Sequence, residues 1–221
     1  MRTYGNLLAK LFLTQIDEST RGDHTRILDT DTCYHIFEYT SRKRYDFSST
    51  NNLISNLKKK PSTSGTPAYK YKIRAINECA ESLKQVLNPN WLKTGTMVPV
   101  PCSKVRGHPD YDDRMERICR AVSEEADVRN LIFQSDSTMA SHEAGDGDRL
   151  TVEDLLAVYR VNEALAAPAP TSIAIVDDVL TVGTHYRAMH TILSQRFPQA
   201  QIYGIFIARR VFPDPFEDLE A

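Results

Sequence analysis

Twelve contiguous residues, Ile173 to Thr184 (IAIVDDVLTVGT), concentrate the chemistry of this chain. An apolar run suited to a strand delivers Asp177 and Asp178, and a short turn through Thr181-Val182-Gly183-Thr184 then leads into a helical pattern. Gly183 permits a tight turn and close backbone approach to a ligand, Thr181 and Thr184 offer hydroxyls, and the first amides of the helix have no intrahelical acceptor. A phosphate monoester fits there. Two adjacent carboxylates would repel that anion directly, but they suit neighbouring sugar hydroxyls and a divalent ion held by them.

The elements that position this segment read as alternating strands and helices. Thr96 to Val100 is expected as a strand, Asp112 to Ala126 as a helix with Met115, Ile118, Cys119 and Val122 inward, and Leu131 to Phe133 as a short buried strand. Thr151 with Asp154 forms a near capping box for a helix bearing Val152, Leu155, Leu156 and Tyr159. Ser172 to Val176 is expected as a central parallel strand, Met189 to Leu193 as a helix, and Ile202 to Ala208 as a last strand. Ile73, Ile76, Ala80, Leu83 and Leu87 mark an earlier amphipathic helix that must pack on the sheet. Further upstream lie a helix expected over Tyr4 to Ile16, a β-rich run Cys33 to Tyr39, and a basic helix Asn51 to Lys60 whose Lys58-Lys59-Lys60 run reads as a solvated face. The expected fold is an α/β doubly wound, mostly parallel sheet. Residues 1–70 form a small N-terminal hood and 71–221 the core, with loops at Pro61 to Pro67 and Ser135 to Arg149.

The twelve-residue segment resembles the signature of type I phosphoribosyltransferases for 5-phosphoribosyl-1-diphosphate (PRPP): a hydrophobic strand, two acids, two apolar residues, then Thr-x-Gly-Thr. The resemblance implies that Asp177 and Asp178 hold the ribose hydroxyls and that Thr181, Val182, Gly183 and Thr184 form the 5'-phosphate loop. Val182 stands where Thr is frequent, and His185 and Tyr186 stand where smaller residues are common; His185 reads as a surface residue at the helix start. The acidic pair of response-regulator receivers is the competing motif, but it follows the first strand and lacks this turn. Upstream, Val98-Pro99-Val100-Pro101 runs into Cys102-Ser103-Lys104-Val105-Arg106-Gly107, which is similar to ComF-type members, and so is LISNLKK from Leu53 to Lys59. The ComF-like finger of cysteines is missing.

That resemblance implies a diphosphate loop at Cys102, Ser103 and Lys104, and a lid over Ser135 to Arg149. Lys104, Arg106 and Arg149 would be the catalytic cations, with His142 near them and Gly145 and Gly147 as hinges. Magnesium would be held indirectly, through PRPP, by Asp177 and Asp178. The implied activity is transfer of a phosphoribosyl group to an unidentified base or related amine; the alternative is a regulatory protein that senses PRPP or nucleotides and transfers nothing. Arg209 and Arg210 are expected to border the pocket or a homodimer contact.

With 221 residues, 41% of them hydrophobic, the chain can bury one sizeable core. A formal charge of -2 gives no global field toward nucleic acid or an anionic membrane, so phosphate recognition must be local. Polar residues interrupt the apolar N-terminal cluster, and Cys33, Cys79, Cys102 and Cys119 lack metal or disulfide spacing. A soluble cytoplasmic protein with reduced thiols is the expectation.

Overall fold

Residues 10–138 and 150–214 are described by the computed structural model. In chain order the elements are β1 (Thr14–Gln15), α1 (Glu18–Arg21), β2 (Thr32–Thr40), α2 (Ser49–Leu57), α3 (Lys70–Val86), α4 (Pro89–Leu92), β3 (Thr96–Pro99), α5 (Arg114–Val122), β4 (Asp127–Val128) and β5 (Ile132–Gln134). They continue with α6 (Val152–Val158), β6 (Tyr159–Val161), β7 (Ser172–Leu180), α7 (Thr184–Arg196) and β8 (Gln201–Val211). One six-stranded sheet has the order β1-β2-β8-β7-β3-β4; β5 and β6 form a separate antiparallel pair. Within the large sheet every pairing is parallel except that of β1 with β2. The architecture is therefore α/β with a mostly parallel mixed sheet flanked by helices, compatible with a doubly wound fold.

Strand periodicity builds two cores. Along β7, Ala174 and Val176 face a layer containing α2, α3 and α5, whereas Ile173 and Ile175 face a layer containing α6, α7 and the β5–β6 pair. Both faces are covered, which is why β7 is apolar almost without interruption. The amphipathic stripe of α3 enters the first layer through Ile76, Ala80 and Leu83. The Thr151–Asp154 capping box is present, each side chain accepting from the other residue's amide.

Tertiary pairing overrode local pattern in several places. Residues 10–16 are not helical; Thr14 and Gln15 pair with β2, because the sheet edge satisfies their backbone groups without a helix. The stretch expected as a hood supplies β2, which lies parallel to β8 inside the main sheet. β5 pairs with β6, not with the main sheet, so Ile132 is buried while Phe133 is 44% exposed. Tyr159, expected on a helical stripe, is drawn into β6 by its pairing with Gln134. β7 does not stop at Val176; β8 runs on to Val211 and carries β7 with it to Leu180. Residues 1–9 and 215–221, together with His142, Gly145, Gly147 and Arg149 of the expected lid, lie outside the described residues.

Gly204 marks a close contact between β8 and its neighbours. A Cβ there would lie 2.7 Å from Cys33 Sγ and 2.9 Å from a ring carbon of Tyr186. Gly204→Ala is expected to lower stability by about 1–3 kcal/mol through overpacking, read as a lower urea midpoint at unchanged slope.

Candidate functional site

The order in which strands are added to the sheet reverses between β3 and β7. From β3 the chain passes through α5 to β4 at one edge; from β7 it passes through α7 to β8 on the other side. The two helices lie on opposite faces, since α5 packs in the first core layer and α7 in the second. A crevice opens beyond the carboxyl ends of two neighbouring strands whose connections diverge, and in such sheets this is where ligands bind. Here a cavity of about 130 Å³ is lined by Asp177, Asp178, Thr181 and His185 from one strand end, and by Val100, Pro101, Cys102 and Ser103 from the other. Lys58 and Arg114 complete its wall.

Because β7 extends past the acids, the two carboxylates project toward opposite faces of the sheet. Asp178 turns toward α2 and α5 and is buried. Its Oδ2 accepts from Arg114 Nε at 3.0 Å and Nη2 at 2.7 Å, and Lys58 Nζ lies 3.3 Å from Oδ1. Arg114 also donates to Asp112 at 2.8 Å, and Asp112 in turn pairs with Lys72 at 2.7 Å. Lys72, 1% exposed, gives its remaining hydrogens to the carbonyls of Leu57 and Lys59. The result is a continuous chain of alternating charge from Lys58 to Lys72.

That arrangement sets the protonation of the pair. Burial works to raise Asp178, but Lys58 and Arg114 beside it outweigh burial and hold its carboxyl well below the usual range. Burial and the adjacent Asp178 charge push Asp177 the other way, well above the usual carboxylate range. Burial lowers the Lys72 ammonium, with Asp112 opposing. His185 is at the start of α7 and lines the cavity, with Nδ1 2.7 Å from the Tyr159 hydroxyl; burial pulls its imidazole down to about 4. It is neutral at pH 7 and is part of the pocket, which corrects its reading as a surface residue.

The turn of Thr181, Val182, Gly183 and Thr184 has one side occupied. Gly183 adopts a φ of +94°, which a side chain resists, and a Cβ there would meet Ile27 at 3.0 Å. Arg26 N–H donates to the Val182 carbonyl at 2.8 Å, His24 Nδ1 bonds the Thr181 carbonyl, and Arg187 Nε ties down Arg26 O at 3.0 Å. The carbonyl side is thus braced by residues 24–27, while the amides that open α7 have no intrahelical acceptor.

The loop after β3 divides two cavities. Cys102 Sγ accepts the amide hydrogens of Lys104 at 3.3 Å and Asp112 at 3.2 Å, and Gln134 holds Ser103 O at 3.0 Å. Cys102 and Ser103 border the acid-pair cavity, but Lys104 and Arg106 line a neighbouring one of about 440 Å³. Lys104 Nζ donates to Thr138 O at 3.2 Å, and Arg106, 73% exposed at its side chain, lies 3.7 Å from Glu116. Among the described residues, the cations beside the acid pair are therefore Lys58 and Arg114. Arg209 pairs with Glu38 and Asp23, away from this crevice.

Neither protein-family models nor curated protein sequences give a match to this chain. Among the described residues no group of three or more His, Cys, Asp or Glu side chains could hold a metal ion, and no helix is long and apolar enough to cross a membrane.

Sequence reasoning missed Lys58, Lys72, Asp112 and Arg114. Lys58 was hidden in a run of three lysines that reads as solvated. Lys72 did leave a signal: it sits four residues before Ile76 on the apolar stripe of α3, where a charge requires a buried partner. Arg114→Leu is expected to destabilise the protein by about 3–5 kcal/mol, because it strands both Asp178 and Asp112, and denaturant unfolding will measure the loss. His185 makes stability pH-dependent. The unfolded chain protonates this imidazole near 6.5 and the folded protein only near 4. Between those values the unfolded state binds more protons at this site, so the His185 contribution to stability falls as pH drops through the window, while the raised Asp177 carboxyl acts with the opposite sign. His24, His35 and His190, also lowered by burial, act with the same sign as His185. His185→Gln is expected to reduce the slope of stability against pH from 6.5 to 4 while leaving it unchanged above 7.

Proposed function

We propose that this chain binds PRPP and transfers its phosphoribosyl group to a nitrogenous base or related amine, releasing diphosphate. The observation that carries the reading is one cavity at the strand-order reversal. There a carboxylate, Asp177, lines the same cavity as Thr181 and His185, which flank the turn into α7, and the loop Pro101 to Ser103. The spacing of these features along the chain is the one that resembles the type I phosphoribosyltransferase signature, with a sheet compatible with that fold.

In this reading the amides from Gly183 onward and the Thr181 and Thr184 hydroxyls receive the 5'-phosphate. Asp177 accepts hydrogen bonds from ribose hydroxyls, which favour its ionised form and draw its raised pKa back down. Asp178, already bonded to Arg114 and 3.3 Å from Lys58 Nζ, balances these cations at the cavity wall. Magnesium fits only as a companion of the ligand: Asp178 is committed to ion pairs, and a single further carboxylate cannot make a cage. When bound, the metal would neutralise diphosphate charge. The C1–O bond breaks with its electron pair going to diphosphate, the acceptor nitrogen forms the new C1–N bond, and the nitrogen's proton leaves to solvent or a basic group. Positioning and charge neutralisation do most of this work.

A second reading, a PRPP- or nucleotide-sensing protein without transfer, is favoured by one observation. Lys104 and Arg106, expected to act on the diphosphate, line the neighbouring cavity. Calorimetric titration with magnesium and PRPP, followed by a diphosphate-release screen over nucleobases and amines, separates the readings. Saturable binding that weakens at least about tenfold in Asp177→Asn is expected, equivalent to about 1.4 kcal/mol. Release with one acceptor class supports transfer, binding without release supports the sensor, and no binding by the wild type sinks both.

A further inference from the structure

Three lysines follow one another at the end of α2, and they do different things. Lys59 Nζ bonds Asn56 on its own helix at 2.6 Å. Lys58 instead enters the wall of the acid-pair cavity, with its side chain 31% exposed. Its contact with Asp178, at 3.3 Å, is long for an ammonium–carboxylate bond, which closes to about 2.7–2.9 Å when both partners are committed. Arg114 offers the contrast: three bonds at 2.7 to 3.0 Å clamp it between Asp178 and Asp112. One cation of the wall is fixed, and the other is loosely held on a flexible four-carbon stem.

Direction matters as well. Lys58 approaches from the α2 and α5 face of the sheet, whereas the amides of the anion-binding turn belong to α7 on the opposite face. A sugar phosphate seated on the α7 amides and on Asp177 would point its far end toward Lys58 and the loop Pro101 to Ser103. An anionic group at that end can take the ammonium from Asp178, whose charge Arg114 continues to balance. A sugar phosphate with nothing charged at C1 gains no such contact.

We propose that Lys58 is a specificity-determining residue that makes this site prefer a ribose 5-phosphate bearing a charged group at C1 over one bearing only a hydroxyl. The inference rests on the functional reading above, and the experiment keeps the two apart. Wild type, Lys58→Met and Lys58→Arg are titrated with magnesium–PRPP and, separately, with ribose 5-phosphate, after circular dichroism has shown equal helix content and thermal midpoints. Lys58→Met is expected to weaken PRPP binding about ten- to a hundredfold, the size of one lost charge-assisted bond. Ribose 5-phosphate affinity should stay within about twofold, and Lys58→Arg should recover most of the loss. Equal loss for both ligands would mean that Lys58 only shapes the wall, and unchanged PRPP affinity would mean that it does not touch the ligand; either overturns the inference while leaving the proposed function standing. Binding of neither ligand by the wild type overturns the functional reading itself, and this inference with it.

Discussion

A carboxylate sealed beside the end of a central strand must be neutralised, because an isolated buried charge costs several kcal/mol even after the protein relaxes around it. Asp178 meets this requirement with two cations from two helices. Arg114 brings Asp112 with it, and Asp112 brings Lys72, so one acid on β7 fixes the relative placement of α2, α3 and α5. The charges alternate along this chain and two backbone carbonyls complete the bonding of the Lys72 ammonium, which is how a lysine at 1% exposure is tolerated. Apolar contacts hold the helices against the sheet, but this network sets which of their side chains face the crevice.

The same network explains why two neighbouring acids behave differently. Strand geometry sends Asp178 to the face that carries the cations and Asp177 to the face that carries Tyr159 and His185. With its partners in place, Asp178 ionises readily; Asp177, half-buried next to that charge, is held well above the usual carboxylate range. A pair that looks symmetrical in one dimension is split into one acid held by cations and a second that accepts the amide hydrogen of its neighbour. Sites of binding and catalysis commonly contain such divided pairs.

Across the crevice the turn before α7 has its shape imposed from behind. Residues 24–27 take up the carbonyls of Thr181 and Val182, and Ile27 fills the space next to Gly183. This brace comes from the connection between β1 and β2, so the N-terminal stretch contributes to the turn as well as to the sheet. The loop after β3 acts as a partition whose cysteine sulfur gathers two amides and separates the small cavity from the larger one holding Lys104 and Arg106.

Strand-helix alternation, the stripe of α3, the capping box at Thr151 and the order acids, turn, helix were all legible in the sequence. Each is written in the periodicity or the turn chemistry of about ten neighbouring residues, so no distant partner is needed to read it. The tertiary structure alone decided that β2 joins the main sheet, that β5 leaves it, that β7 runs to Leu180, and that Lys58 and Arg114 rather than Lys104 and Arg106 stand beside the acids. Those outcomes depend on long-range pairing: Arg114 and Asp178 are 64 positions apart. An ion pair carries no period and no spacing rule, because Coulomb attraction acts between whichever charges the packed helices bring within a few ångströms, and only the fold determines which these are.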